Sequence, residues 1–156
     1  PANTLSLHDA LPISPGSVTL PILAVALVTP LVFTVSTVTV DTSDFEDPHI
    51  KFEVTSNINT TVAVGLPFAL NFQIFRISRN QFTPIPVGPI FTYSRVVSVV
   101  ESNAFTFFVC EDDFCQDDCS TYSVVVTVTA LGIAEVASIT NATISALVVE
   151  NNHCQY

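Results

Sequence analysis

The chain has 156 residues and a formal net charge of −10, with 49% hydrophobic and only 12% charged residues. This length is typical of a single domain, and ordinary soluble domains carry roughly 25% charged residues. Four Lys and Arg residues against fourteen acids exclude a basic phosphate-binding surface, so we expect no nucleic-acid partner.

The N-terminal part of the chain has little strand or helix patterning. Residues 1–17 show no sustained periodicity and are expected to be a flexible arm or a sequencing artefact. The most apolar stretch, Val18 to Val40, is long enough to cross a bilayer, but two prolines interrupt it and no basic residue flanks it. Its β-branched residues favour strands, so we expect two extended segments and no membrane span.

The first of these extended segments, 21–28, has two open interpretations. It is either an ordinary edge strand of its own subunit or a donor strand that pairs with a sheet edge of the next subunit. A head-to-tail contact of the second kind does not close, so it would build a fibre. We take residues 1–30 as an extension that connects subunits and 31–156 as one domain. The candidate connecting strand consists of Ile22, Leu23, Ala24, Val25, Ala26, Leu27 and Val28.

From Leu31 onward, strand-like segments follow one another at short intervals. Alternation predicts that Ile50, Phe52 and Val54 face inward and that Phe68, Leu70, Phe72 and Ile74 share a face. Strict alternation in the first segment would place Val32, Thr34, Ser36 and Val38 on one face. The predicted strands are 31–40, 49–56, 59–65, 68–78, 90–100, 104–110, 121–130 and 135–150.

The connection 80–89 contains three prolines and is predicted to be irregular. About eight strands without a 3.6-residue period predict an all-β fold. We expect a single antiparallel two-sheet sandwich, jelly-roll-like, with an extended N-terminal arm.

The four cysteines are candidates for disulfide bonds. Cys110, Cys115 and Cys119 have C-x4-C-x3-C spacing, which fits neither a zinc knuckle nor a redox pair, and Cys154 lies far away in the tail. Five carboxylates among the first three oppose the thiolate that a nucleophilic cysteine needs. Disulfides are therefore favoured over zinc ligation. The connectivity stays open, including a bond from Cys154 to another subunit.

The polar residues give little sign of catalysis or metal binding. The acidic runs at 41–47 and 111–118 lack EF-hand spacing, so solvated turns are favoured over a shared calcium ion. Three histidines and four glycines supply no hydrolytic or phosphate-binding motif, so we expect no enzyme, no metal and no cofactor. Asn59 and Asn141 lie in glycosylation sequons, which a Thr-rich chain also produces by chance.

Four motifs between Leu70 and Arg95 carry a family resemblance. They are LNFQIFR at 70–76, NQ at 80–81, PIPVGP at 84–89 and FTYSR at 91–95. With them the chain resembles a family of small clostridial proteins known only as a domain of unknown function, over residues 31–154. That family often carries further cysteines near the first acidic turn, where this chain has Ser43 and Asp44. More loosely, the combination of a small cysteine-bearing β-sandwich with an N-terminal connector is similar to that of the endospore-appendage fibre subunits of Firmicutes.

Low charge, a surplus strand and a terminal cysteine together suggest a structural protein. We expect a subunit that assembles with copies of itself into an extracellular or spore-surface filament, by N-terminal strand donation and disulfide stapling. The alternative is a monomeric surface- or carbohydrate-binding β module.

Overall fold

The computed structural model describes residues 8–10, 16–20, 30–45, 48–61, 66–79, 81–97, 100–112, 119–130 and 136–150. These residues form nine β-strand segments and contain no helix, so none of them belongs to a membrane-spanning helix. The strands are β1 (His8–Ala10), β2 (Gly16–Leu20), β3 (Leu31–Asp41), β4 (Pro48–Thr61), β5 (Leu66–Ser78), β6 (Ile85–Val97), β7 (Glu101–Asp112), β8 (Cys119–Ala130) and β9 (Val136–Glu150).

The strands form two antiparallel sheets. In sheet I the order is β1-β9-β4-β7, and β2 pairs with the same side of β9 as a second piece of one broken edge strand. Sheet II has the order β3-β8-β5-β6. Successive strands from β2 to β5 alternate between the sheets, which is the strand order of a jelly roll. The predicted two-sheet sandwich is therefore confirmed.

The core lies between the inward faces of the sheets. Phe52, Phe68, Phe72, Leu70 and Tyr122 have no exposed side-chain surface. Aromatic rings join the sheets, with the Phe52 and Tyr122 ring centroids 4.3 Å apart. Burying each such side chain contributes about 1.5–3 kcal/mol, so this layer supplies most of the stability. The inward faces predicted for 49–56 and 68–78 are confirmed.

Three predictions about the strands were wrong in detail. Segments 49–56 and 59–65 were expected to be separate, but β4 runs without a break from Pro48 to Thr61 because both of its neighbours pair along that whole length. The stretch predicted to be irregular contains the start of β6 at Ile85, since an edge strand tolerates proline.

The third difference is a bulge in β3. Pairing with β8 shifts register between Thr34 and Ser36, so Val35 and Ser36 are both buried and the alternation changes phase. Val32 and Thr34 therefore share the outer face with Thr37, not with Ser36. At this bulge Gly16 of β2 approaches so closely that a Cβ on it would overlap the carbonyl oxygen of Val35.

Candidate functional site

The outer edge of β3 is a free sheet edge in the described part of the chain. β3 pairs with β8 from Leu31 to Asp41, and no described strand pairs with its other side. Residues 31–40 carry no charge and no proline, and Val32 is 59% exposed. Unpaired N–H and C=O groups along such an edge can add another strand, and charged or proline residues normally prevent this.

A hydrogen-bonded turn ends β3. The Ser43 backbone N–H donates to Asp41 Oδ1 at 3.0 Å, and the Phe45 N–H donates to the Thr42 carbonyl at 3.0 Å. A hydrogen bond from the Ser43 side chain is the largest cause that lowers the pKa of the Asp41 carboxyl, and a hydrogen bond from the Ser43 backbone is the second. Asp41, the last residue of β3, is the first charged residue along the strand, and its carboxyl stays ionised at neutral pH.

The opposite edge of sheet II, β6, has the protection that β3 lacks. Pro86 and Pro89 remove two backbone donors, and between them Gly88 takes a positive φ of 68° in a bulge. A Cβ at Gly88 would lie 2.5 Å from Val109 Cγ1, so the bulge requires glycine. Gln73 Nε2 donates to the carbonyls of Val87 at 3.2 Å and Gly88 at 2.9 Å, which occupies acceptors that the bulge leaves unpaired.

By the alternation of buried and exposed positions, Asp41 at the end of β3 is the one charged side chain on the outer face of sheet II within its four described strands. The other outward residues include Val32, Thr34, Thr37, Thr39, Asn71, Gln73, Phe75, Ile77, Pro86, Thr92, Ser94, Thr121, Ser123, Val125 and Thr127. The outer face of sheet I differs, because Lys51 and Glu53 are exposed there. A hydroxyl pair also crosses it, with Thr55 and Thr143 oxygens 2.7 Å apart.

Two adjoining hollows that share Ile77 lie on the outer face of sheet II; we call them together the outer groove. One has a volume of about 250 Å³ and the other about 360 Å³. The first is lined by Thr34, Phe75, Ile77, Pro84, Ser123 and Val125, and the second by Ile77, Ser78, Arg79, Gln81, Cys119 and Thr121. No carboxylate or imidazole is among the described residues that line the groove.

Sequence reasoning missed the outer groove and Phe82 beside it. Three strands and the β5–β6 connection form the groove, so no local pattern marks it. The exposed Phe between Gln81 and Pro84 was the one available signal, because a large apolar residue in a proline-rich connection has no core to enter.

Two of the four candidate disulfide cysteines are described. Cys110 in β7 is opposite Lys51 in sheet I, and Cys119 in β8 is opposite Asp41 in sheet II. Their inward neighbours Val109 and Ser120 are buried, so the two thiols lie on opposite outer faces of the sandwich, and no bond joins them.

This placement narrows the disulfide connectivity within one chain. Stacked sheets lie about 10 Å apart, whereas disulfide-bonded Cα atoms lie within about 7 Å. A bond between Cys110 and Cys119 of one chain is therefore excluded. Two of the three pairings remain, Cys110–Cys115 with Cys119–Cys154 and Cys110–Cys154 with Cys115–Cys119. Cys115 and Cys154 are outside the described residues.

The two sequon asparagines differ in accessibility. Asn59 lies near the end of β4, where its Nδ2 donates to Thr140 Oγ1 at 3.1 Å and its Oδ1 accepts from Ser102 at 2.7 Å. Asn141 is exposed in β9 with a positive φ of 53°. Of the two, Asn141 has the side chain that a glycan-attaching enzyme could reach.

The predicted connecting strand, Ile22 to Val28, is outside the described residues. The strands on either side of this segment are described: β2 ends at Leu20 in sheet I, and β3 begins at Leu31 in sheet II. Part of the predicted 1–30 extension therefore pairs with β9 of its own chain, and the segment 21–29 is attached to the same sandwich at both ends.

An ion pair joins the two sheets inside one end of the sandwich. Arg76 of sheet II and Glu111 of sheet I form an ion pair at 2.9 Å, with side chains only 16% and 15% exposed. The described residues contain no group of three metal-ligating side chains. The pair joins the sheets beside the cysteine-bearing connection, and the absence of metal and cofactor stays a prediction.

These features define a single jelly-roll domain with one open and one protected edge on the same sheet. The chain belongs to the family described as a domain of unknown function (DUF4489), which matches residues 13–149. The resemblance to an uncharacterised family is thereby confirmed. No curated protein matches the sequence.

Solved structures with a similar fold come from different kinds of protein. A carbohydrate-binding module specific for non-crystalline cellulose, CBM28, is 12% identical, with 94% of this chain and 79% of that chain covered at a TM-score of 0.40. The xylan-binding CBM22-1 of Paenibacillus barcinonensis Xyn10C is 12% identical, with coverages of 93% and 96% at 0.30. Infectious bursal disease virus, Gx strain, is 11% identical, with coverages of 94% and 39% at 0.32. At these values the likeness supports no functional assignment.

Proposed function

We propose that this domain is a non-enzymatic structural subunit that assembles with copies of itself into an extracellular or cell-surface filament. The observation that carries the proposal is the contrast between the edges of sheet II. β3 carries no charge and no proline over the ten residues 31–40, while β6 has two prolines and a bulge. An unprotected edge on a sheet whose opposite edge is protected is suited to strand addition.

The most suitable part of the β3 edge is Ser36 to Val40. It lies beyond the point where Gly16 contacts the strand, and after the buried Ser36 its side chains alternate between exposed Thr and buried Val. A strand that adds here gains backbone hydrogen bonds without desolvating a charge, and the β-branched residues suit the pleated surface.

The added strand is proposed to be the segment Ile22 to Val28 of the next copy. Its residues are uncharged and apolar, like those it would join. Because β2 and β3 anchor the segment at both ends, the donated strand leaves its own sandwich and re-enters it, instead of extending from a free terminus. The contact is head-to-tail, so it propagates into a filament.

Cysteines would add covalent links to this assembly. Cys110 is exposed on sheet I and Cys119 lies on the other outer face, so each can meet a neighbouring copy from a different side. Such bonds persist in oxidising surroundings, which is why the proposed location is extracellular. Disassembly would then require a reductant.

The edge hypothesis is tested with charge placed on each edge of sheet II. Thr37→Lys with Thr39→Lys puts two ammonium groups on exposed positions of β3. Thr92→Lys with Ser94→Lys puts the same charges, at the same spacing, on exposed positions of β6. Light scattering after size-exclusion chromatography, with negative-stain micrographs, gives the size of each protein.

We expect the unmodified chain and the β6 variant to form filaments and the β3 variant to form none. A stable monomer of the unmodified chain at micromolar concentration contradicts the proposal, and so does equal polymerisation of the two variants. Parallel runs with and without reductant show whether disulfides hold the polymer.

A second candidate function is a monomeric surface- or carbohydrate-binding module. The outer groove favours it, because an uncharged face with hydroxyl and apolar side chains suits a neutral ligand. A monomer that is retained on insoluble polysaccharide, and that loses retention with Phe75→Ser, would replace the filament proposal.

A further inference from the structure

Phe82 is a fully exposed aromatic ring on the connection between β5 and β6. Its relative exposure is 101%, so the ring contacts no other part of the described chain. On this connection the Gln81 N–H donates to the Ser78 carbonyl at 2.9 Å, and Pro84 lies two residues after Phe82. An exposed aromatic ring of this kind is suited to anchor a protein contact.

The outer groove lies beside this ring and has room for one. Gln81 and Pro84, on either side of Phe82 in the chain, line its two hollows. The smaller hollow has a volume of about 250 Å³ and apolar walls from Phe75, Ile77 and Val125. A cavity of about 150 Å³ with such walls is enough to bind benzene.

We propose that Phe82 of one chain occupies the outer groove of a second copy, in a two-fold pair. The ring does not fill its own groove, because it is fully exposed in the single chain. Ring and groove belong to the same patch of surface, so a two-fold axis through that patch sets each ring in the partner's groove. Such isologous contacts are the commonest kind between identical subunits.

Charge explains why a second copy is a suitable occupant. Two chains of net charge −10 repel each other wherever their acids meet. Among the described outward residues of sheet II the one acid is Asp41, at the end of β3, and Arg79 is the one charged residue among the described residues that line the groove. This face is therefore where two copies can approach with few carboxylates between them.

The pair is independent of strand addition at β3. Strand addition uses backbone groups at the edge of sheet II, whereas the pair uses side chains on its face. If only the edge hypothesis fails, the chain forms particles of two copies and nothing longer. If only the pair fails, filaments form and Phe82 remains in water.

A single-tryptophan reporter tests the contact directly. The chain contains no Trp, so Phe82→Trp introduces the only indole. We expect its emission to shift to shorter wavelength as concentration rises, in step with the appearance of two-chain particles in sedimentation velocity. Phe108→Trp is the matched control, since Phe108 is also exposed but lies on sheet I. Its emission should not change over the same range.

Mixing two complementary variants distinguishes insertion into the groove from general stickiness. Phe82→Ala removes the ring and Ile77→Lys blocks the groove, so each alone should weaken pairing by about ten-fold or more. Mixed together, the two variants can still form one of the two ring-in-groove contacts, so mixed pairs should exceed either self-pair. Pairing of Phe82→Ala equal to that of the unmodified chain, or an indole that stays solvent-exposed at every concentration, overturns the proposal.

Discussion

β3 and β6 border the same sheet and have similar lengths, 11 and 13 residues, and each pairs on one side only within the described chain. Their backbones nevertheless present different edges. β6 interrupts its ladder with a bulge at Gly88 and lacks donors at Pro86 and Pro89, whereas β3 offers a nearly continuous row of β-branched residues. The comparison shows that the two edges of sheet II differ in how readily a further strand could pair with them.

The bulge in β6 is the most sensitive part of this difference. Gly88→Ala forces a side chain into the left-handed region and against the stiff, buried Val109. We expect the free energy of unfolding to fall by about 2–3 kcal/mol, measured by urea denaturation. Pro89→Ala, one residue away and exposed, is the control and should change it by less than about 1 kcal/mol. Equal effects would mean that the bulge does not depend on Gly88.

The side chain that caps the bulge should have a smaller effect. Gln73→Met keeps the length of the side chain but removes both donors to the carbonyls of Val87 and Gly88. We expect a loss of about 1 kcal/mol, because water can replace part of the lost hydrogen bonding at this half-exposed site.

Thr92→Val is the control for Gln73→Met. It removes a side-chain hydrogen bond of 2.8 Å to Asn71 between the same two strands, outside the bulge. Hydrogen exchange at 85–90 should accelerate in the Gln73 variant and not in the Thr92 variant. Acceleration in both would show that the bulge is held by the strand pair as a whole.

The smallest effect on stability is expected from restoring a donor to β6. Pro86→Thr should leave the free energy of unfolding within about 0.5 kcal/mol, because Pro86 is exposed at the edge. It should nevertheless increase self-association through β6, since the restored N–H can take part in edge pairing. Light scattering over time, compared with the unmodified chain and with Thr92→Val, measures this. No increase would mean that the bulge alone protects β6.

The sequence predicted the parts of this fold that depend on local alternation. In β4 and β5 the buried positions follow a period of two without interruption, so Phe52 and Phe72 were assigned correctly to the core. In β3 the same reasoning lost its phase at Val35, because the bulge coincides with the approach of Gly16 from a distant part of the chain. A local pattern of alternating residues contains no information about such a long-range contact.

The candidate site was less predictable than the fold. The absence of charge in β3 was visible in the sequence, but whether the strand lay in the middle of a sheet or at its edge was not, since strand order depends on long-range pairing. The prolines of 84–89 suggested an irregular connection, whereas in the folded chain Pro86 and Pro89 lie in the edge strand β6. The outer groove depends on β3, β5 and β8 meeting, which no single segment encodes.

Hydrogen exchange of the assembled protein tests the central claim most directly. Amide exchange in peptides from β3 (31–41) and β6 (85–97) should be compared between assembled chains and the Thr37→Lys, Thr39→Lys variant, which is expected to form no filaments. Strand addition predicts that β3 amides facing the free edge gain protection on assembly while β6 amides exchange at the same rate in both. Protection gained in β6, or in neither strand, would contradict the account.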